Sequence, residues 1–269
     1  MAHYDELVTP KDRPQLQEPL HIFLERHGYS VEDYNNYLKA AVASANGNMR
    51  EAYVKAAMAI TYDFEQKFGY RFPYTFGGGH IYLGSNPDLV PKYEEFDKLN
   101  GNYKNGSTLG VNPNWGTKFN DKQMKLFTHQ DGTVYTSLGL DCSSFVSWAA
   151  FNTGQVDYFE KNAQSMAHGY VNQQTGIQEF IPFGTLHAIN TDFFGRAGDI
   201  IWRRGHVMSI VAADETNGIY YTAEPNCGAE GTKIYRRPIE SLTSDSREHF
   251  IIDMDNFFKE PNEVARKRI

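Results

Sequence analysis

Hydrophobic residues recur at helical spacing in two stretches of the first seventy residues. In residues 31–45 the apolar positions fall three or four residues apart, with Ser30 in front as a possible N-cap and an Asn-Gly pair behind. In residues 49–68 a second apolar stripe follows Asn48, another favourable N-cap, and ends at Gly69. The spacing therefore predicts two amphipathic helices that pack on a core and carry no chemistry.

Residues 139–154 show a different pattern, a nearly continuous apolar run that follows an aspartate. Asp141 is a favourable N-cap, and Cys142 then becomes the first residue of a helix whose apolar run extends through Phe151 to a glycine stop at Gly154. At this place a thiol lies among unpaired N–H groups at the positive end of the helix dipole, which favours the nucleophilic thiolate. Cys142 is therefore a candidate nucleophile, and a buried structural thiol is the alternative.

Short apolar runs separated by turns dominate the second half of the chain. Such runs begin at Gly198, His206 and Ile219, and two more lie at about 232–236 and 249–252. Their short connections predict an antiparallel meander. Because the helices come first and the strands afterwards, we expect an α+β fold with the cysteine helix on one face of the sheet.

The remaining segments bear on domain organisation. Residues 1–29 are polar and hold three prolines, which indicates either an arm packed on the domain or the tail of a linker. Residues 30–269 are then expected to form a single domain. An Asn/Gly/Asp-rich insertion at about 81–136 is either a lid or binding loop, or an elaboration without function. Residues 155–190 give mixed signals that predict no defined element.

Composition and charge narrow the functional classes. The 269 residues are 41% hydrophobic and 22% charged, as in an ordinary globular protein. A formal net charge of −7 argues against nucleic acid or an anionic membrane as a partner. Two cysteines exclude a disulfide framework, and we expect Cys142 and Cys227 both to be reduced in the active form.

Targeting and metal-binding motifs are not evident. No run of about 18 apolar residues predicts a membrane span, and the N-terminus lacks the pattern of a signal peptide. The sequence is therefore expected to be either cytosolic or a piece of a larger exported protein. Without a His-Glu-x-x-His or Cys-x-x-Cys motif we predict no metal site and no cofactor. Acidic residues in 88–97 are interpreted as a solvated face rather than a calcium site.

A cysteine nucleophile needs a base and a group that orients the base. Among the nine histidines, His206 opens a strand after an exposed turn, where the sheet can hold its ring toward the helix N-terminus. On the next strand, Glu224 and Asn226 are two residues apart and share a face, so that either could accept the ring N–H of His206. The pattern predicts a catalytic site formed by Cys142, His206, Glu224 and Asn226.

Four segments in this order resemble the motifs of the NlpC-type and CHAP cysteine peptidases and amidases: Tyr74-Thr-Phe-Gly-Gly, Leu140-Asp-Cys-Ser-Ser-Phe-Val, Gly198-Asp-Ile-Ile and Gly205-His-Val-Met-Ser-Ile-Val. The segment Glu224-Pro-Asn226 is similar to the CHAP branch, whose active site contains Cys, His, Glu and Asn. The resemblance covers roughly residues 70–254. Two features depart from it. Ser144 stands where the family usually has Gly, and about sixty residues separate the Gly-Gly turn from the cysteine, where relatives have a short connection.

The resemblance implies a papain-like fold and hydrolysis of an amide bond in the bacterial peptidoglycan stem peptide through a Cys/His thioester. It also implies an extracellular or cell-wall location within a larger exported protein. Further residues are expected to contact the substrate: Tyr74, Phe76, Gly77, Gly78, Asp141, Ser143 and Trp115. An acyltransferase or transpeptidase with the same site and an inactive wall-binding module are the alternatives, and the choice between endopeptidase and amidase stays open.

Overall fold

The computed structural model describes residues 4–8, 13–14, 16, 20–72, 126–128, 134–136, 140–153, 163–171, 173–189, 192–226 and 231–259. After a 3₁₀ turn at Tyr4–Leu7, the helices are α1 (Leu20–Arg26), α2 (Val31–Ala43), α3 (Met49–Ala59), α4 (Tyr62–Phe68), α5 (Cys142–Phe151), α6 (Ala163–His168), α7 (Ile239–Thr243) and α8 (Asp255–Lys259). The strands are β1 (Leu126–Thr128), β2 (Val134–Thr136), β3 (Tyr170–Val171), β4 (Gln178–Phe180), β5 (Thr185–Ala188), β6 (Ile200–Arg203), β7 (His206–Asp214), β8 (Ile219–Asn226), β9 (Gly231–Pro238) and β10 (Phe250–Asp253).

A six-stranded antiparallel sheet with the order β5-β10-β6-β7-β8-β9 organises the fold. Strands β6 to β9 form the predicted meander, but the meander prediction is wrong for the last strand, because β10 pairs with β6 and β5 instead of β9. Ile251 and Ile252 on β10 are both fully buried, one in each of the two cores, so this strand needs cover on both faces. The α+β fold class predicted from the sequence is confirmed at this level.

The sheet separates two hydrophobic cores. Along β7 the side chains alternate, so that Val207 belongs to the core beneath the helices and Met208 to the core on the opposite face. Helices α3 and α5 contact β7, and α5 also contacts β8. The second core contains Ile189, Ile201, Met208, Ile210, Tyr220, Leu242 and Ile251. Burial on both faces explains why these strands are nearly continuous apolar runs in the sequence.

The predicted helix starts are confirmed by their caps. The Ser30 hydroxyl accepts the Asp33 N–H at 3.0 Å, and the Asp33 carboxylate accepts the Ser30 N–H, which closes a capping box before α2. The Asn48 side chain accepts the Glu51 N–H at 3.1 Å before α3. These side chains satisfy N–H groups that have no partner within the helix. Gly69 follows α4 as its C-cap, as the sequence predicted.

The prediction of one continuous helix over residues 48–69 is wrong. The helix is interrupted at Ile60 and Thr61, between α3 and α4. The Thr61 hydroxyl donates to the Ala57 carbonyl oxygen at 2.7 Å, a bond that competes with the helical ladder, and adjacent β-branched residues weaken a helix. Among the described residues, no helix combines the length and the hydrophobicity needed to cross a membrane.

The described parts of the first 29 residues pack on the rest of the protein. The Leu16 N–H donates to the Arg71 carbonyl oxygen at 2.9 Å, and the Arg71 N–H donates to the Pro14 carbonyl oxygen at 2.8 Å. Helix α1, which the sequence did not indicate, buries Phe23 and Leu24 completely. This part of the chain is an arm that contributes to the core.

Arg50 joins helix α3 to the start of β6. Its guanidinium donates to the Asp199 carboxylate at 2.6 Å and to the Asp255 carboxylate at 2.7 Å. The Asp199 side chain is fully buried, and it also accepts the Arg196 and Met254 N–H groups. A carboxylate that is removed from water needs such partners, so these contacts fix where β6 begins.

Gly198 is required beside this ion pair. Its φ is +94°, and a Cβ placed on it would lie 2.6 Å from Cγ of Arg50. A side chain at this position would both strain the backbone and displace the arginine.

Replacement of Arg50 tests whether this ion pair holds the fold together. Arg50→Met leaves the Asp199 carboxylate buried without its cation, which costs about 3–5 kcal/mol. We expect the free energy of unfolding, measured by urea denaturation, to fall by that amount. The control is Lys259→Met, which removes a 72% exposed side chain from its contact with Asp255 and should cost less than about 1 kcal/mol. Equal losses in the two variants would contradict the role given to Arg50.

Candidate active site

Asp141 holds the start of the helix that carries Cys142. One carboxylate oxygen of Asp141 accepts the Ser144 N–H at 2.8 Å and the Ser143 hydroxyl at 2.9 Å. In return, the Asp141 N–H donates to the Ser144 hydroxyl at 2.9 Å. This capping box makes Cys142 the first helical residue, as predicted. Asp141 and Ser143 thus have a structural use, and their predicted contact with substrate stays a prediction.

The end of this helix agrees with the apolar run that predicted it. Helix α5 ends at Phe151, the last apolar residue of that run, with Asn152 as its C-cap. The Asn152 side-chain amide donates to the Trp148 carbonyl oxygen at 2.8 Å, in addition to the Asn152 backbone N–H at 3.1 Å, and the Thr153 hydroxyl donates to the Ala150 carbonyl oxygen at 2.7 Å. These side chains cap the last turn of the helix.

His206 begins β7 directly after a two-residue turn. Its Nε2 lies 2.7 Å from Oε2 of Glu224, and its side chain is 12% exposed. Because a carboxylate accepts this bond, Nε2 carries the proton that is donated. Nδ1 is then the ring nitrogen left for the Cys142 thiol and a bound substrate. This is the arrangement that a general acid and base requires.

The ionisation of His206 depends on its two neighbours. Burial lowers the pKa of the ring, but interactions with Cys142 and Glu224 outweigh burial and raise the pKa to about 10. The ring is therefore an imidazolium at neutral pH. The proposed base is therefore a charged proton donor that lies beside Cys142.

Glu224 is a fully buried carboxylate with every contact on one face of the sheet. Oε2 faces His206, and Oε1 accepts the Thr222 hydroxyl at 2.8 Å and two N–H groups of Arg237 at 2.7 and 3.1 Å. Burial acts to raise the pKa of Glu224, but the bonds with His206 and Arg237 prevail and lower it. Glu224 is therefore ionised, fixed in position and able to stabilise the imidazolium.

Sequence reasoning did not find Thr222 or Arg237. Thr222 shares a face with Glu224 because it lies two residues earlier on β8, and this periodicity could have indicated it. Arg237 lies on β9 opposite Tyr220, and it reaches Glu224 diagonally. Finding Arg237 needs the register between β8 and β9, which no turn motif in the sequence specifies.

The structure brings three of the four predicted catalytic residues together, from α5, β7 and β8. Asn226 is the last residue of β8, and its side chain is outside the described part of the chain. Several predicted substrate contacts also lie outside the described residues: Tyr74, Phe76, Gly77, Gly78 and Trp115. Of the insertion at about 81–136, the structure describes only the paired strands β1 and β2.

Neither a metal-binding cluster among the described residues nor a similar known protein helps to interpret the site. Among the described residues, no group of three or more His, Cys, Asp or Glu side chains is placed to hold a metal ion. Comparisons of the chain with protein-family models, curated proteins and solved structures found no match. The function is therefore inferred from the site and its motifs.

The contact between Cys142 and His206 predicts the titration of the histidine. In Cys142→Ser the strongest interaction that raises the pKa is removed, so the pKa of His206 should fall from about 10 toward the ordinary value of 6.5. NMR titration of protein labelled with ¹³C-histidine measures this shift. The wild-type ring should be charged at pH 8, and the ring of the variant should be largely neutral. A pKa that stays near 10 in the variant would show that Glu224 alone holds the proton.

The contact between Arg237 and Glu224 should stabilise the fold, so that its removal lowers the free energy of unfolding. Arg237→Met removes two charge-assisted hydrogen bonds from a buried carboxylate, which should lower the free energy of unfolding by about 2–3 kcal/mol. The matched control is Arg236→Met, because Arg236 is 44% exposed and lies 3.5 Å from an exposed Asp5. That substitution should cost less than about 1 kcal/mol in the same urea titration. If the two variants are equally stable, Arg237 does not support Glu224.

Proposed function

We propose that this protein is a cysteine hydrolase that cleaves an amide bond of the peptidoglycan stem peptide through a Cys/His thioester. The observation that carries the proposal is the arrangement of Cys142, His206 and Glu224 at the site. A thiol at a helix N-terminus faces an imidazolium, and a buried carboxylate holds the other nitrogen of that ring. These are the nucleophile, base and orienting group that acyl transfer requires.

The geometry supports a two-step reaction. The Cys142 thiolate attacks the amide carbonyl carbon, and the carbonyl electron pair moves onto oxygen. When the C–N bond breaks, the leaving amine takes the proton from Nδ1 of His206, and a thioester remains on Cys142. His206 then accepts a proton from water as the hydroxyl adds to the thioester. The thiolate departs and leaves a carboxylic acid.

The helix N-terminus also supplies a place for the oxyanion. The first N–H groups of a helix have no intrahelical partner, so the Cys142 N–H can face the developing negative charge. One such donor contributes about 3 kcal/mol to the stabilisation of the transition state.

The choice of peptidoglycan rests on the motif resemblance. The segments around Cys142 and His206 are similar to the NlpC-type and CHAP enzymes, and the α+β fold is compatible with the papain-like fold of that group. The same resemblance supports a cell-wall or extracellular location in a larger exported protein. An acyltransferase shares the thioester and differs only in using an amine instead of water as the acceptor. A wall-binding module has no use for the ionised, fully buried Glu224.

Digestion of purified cell walls tests the proposal. Wild-type protein should release fragments with new carboxyl and amino termini, identified by mass spectrometry. Cys142→Ala and His206→Ala should each lower the rate by at least about a thousandfold, and Glu224→Gln by about 10- to 100-fold because Glu224 orients the ring and does not react.

The control for this experiment is Cys227→Ser, which removes the other thiol and should leave digestion unchanged. Continued release of fragments by Cys142→Ala would contradict the nucleophile. Products in which an added amine is joined to the new carbonyl would identify the acyltransferase.

A further inference from the structure

Arg203 stands beside the proposed base. It is the last residue of β6, and in the antiparallel pairing it lies directly opposite His206, the first residue of β7. Side chains of directly opposed residues emerge from the same face, with Cβ atoms about 4.5–5.5 Å apart. The guanidinium group and the imidazole therefore leave the sheet on the same side.

The acids near Arg203 are committed to other partners. Glu224 is bound by His206, Thr222 and Arg237, as described above. Asp245 accepts a fork of two bonds from Arg247, at 2.7 and 3.0 Å. In the part of the chain that the structure describes, Arg203 forms no ion pair, and its hydrogen bond is a long one of 3.4 Å to the carbonyl oxygen of Arg204.

Charged groups surround Arg203, but none of those described pairs with it directly. The side chain is half-buried, and burial, followed by the charge of Arg247, lowers the pKa of Arg203 against the smaller opposing effects of Asp245, Cys142 and Glu224. Strand β10 lies on the other side of β6, where Phe250 pairs with Trp202. Continued by one residue, this register places His249 next to Arg203. The Nδ1 of His249 donates to the Leu242 carbonyl oxygen at 3.0 Å, and burial lowers the pKa of this histidine, so it is neutral at pH 7.

We propose that Arg203 forms an anion subsite of the active site and binds an ionised carboxylate of the peptide substrate next to the bond that is cleaved. A half-buried guanidinium that no acid pairs has lost part of its hydration, and a bound anion would restore the missing hydrogen bonds. Its planar fork matches a carboxylate with two parallel hydrogen bonds. This inference rests on the proposed function and adds a substrate class to it, acidic peptides in preference to their amidated forms.

Alkylation of Cys142 tests the subsite without a substrate. Iodoacetate carries a carboxylate and iodoacetamide is its neutral counterpart, so the ratio of their rates at Cys142 reports an anion site beside the thiol. The rates are measured in the full chain at pH 7 and low salt, by peptide mass mapping that separates Cys142 from Cys227. In Arg203→Met the iodoacetate rate should fall about tenfold, and the iodoacetamide rate should stay within about twofold.

The matched control is Arg204→Met, which removes the same charge from the next residue, an exposed position in the turn. Both rates should then stay within about twofold of the wild type. Arg203→Gln, which keeps a polar head group, should reproduce the fall in the iodoacetate rate, and it serves as a second variant in case Arg203→Met misfolds. Some preference for iodoacetate should persist in each variant, because the His206 imidazolium is still present.

Two results would overturn the subsite. Equal falls in both rates would show that Arg203 acts on the thiol itself, and unchanged rates would show that it has no part in the site. The proposed function is tested separately by the iodoacetamide rate of the wild type. If Cys142 reacts no faster than a cysteine in an unfolded peptide, the nucleophile is contradicted, while the ratio of the two reagents still reports on Arg203.

Discussion

The burial of the Glu224 carboxylate is the main constraint on how strands β7, β8 and β9 pair. An ionised group taken out of water is tolerated only when hydrogen bonds and opposite charges surround it. Here the partners come from three strands, His206 on β7, Thr222 on β8 itself and Arg237 on β9. The three strands must therefore all pair in the correct register. Otherwise the Glu224 carboxylate is buried without the partners that replace its hydration. The site and the sheet are stabilised by the same contacts.

A second set of contacts positions the thiol relative to this charge. Helix α5 packs on β7 and β8, and helix α3 is joined to β7 by a hydrogen bond of 2.5 Å between the Tyr53 and Ser209 hydroxyls. Arg50 links α3 to the start of β6 through Asp199. These two polar contacts, made within an otherwise apolar core, fix the helical layer relative to the sheet. Cys142 keeps its place because the layers cannot slide past one another without breaking them.

Local signals made part of this structure predictable. Asp141 before an apolar run indicated the cysteine helix, and short apolar runs between turns indicated β6 to β9, because caps and turns depend on neighbouring residues. The position of β10 between β5 and β6 could not be predicted, since it depends on pairing between distant segments. The same limit hid Arg237 and the placement of Arg203 beside His206, which follow from cross-strand register. The break at Thr61 arises from one side-chain hydrogen bond that the helical pattern does not reveal.

The turn between β6 and β7 is two residues long, and Gly205 within it has a φ of +79°. Arg203 and His206 lie at its two ends, so the length of the turn fixes their alignment. An inserted residue would shift the pairing by one position and send one of the two side chains to the other face of the sheet. During evolution this hairpin can therefore change in composition but not in length without separating the two groups. Any engineering of selectivity at this site should substitute residues around the turn and preserve its length.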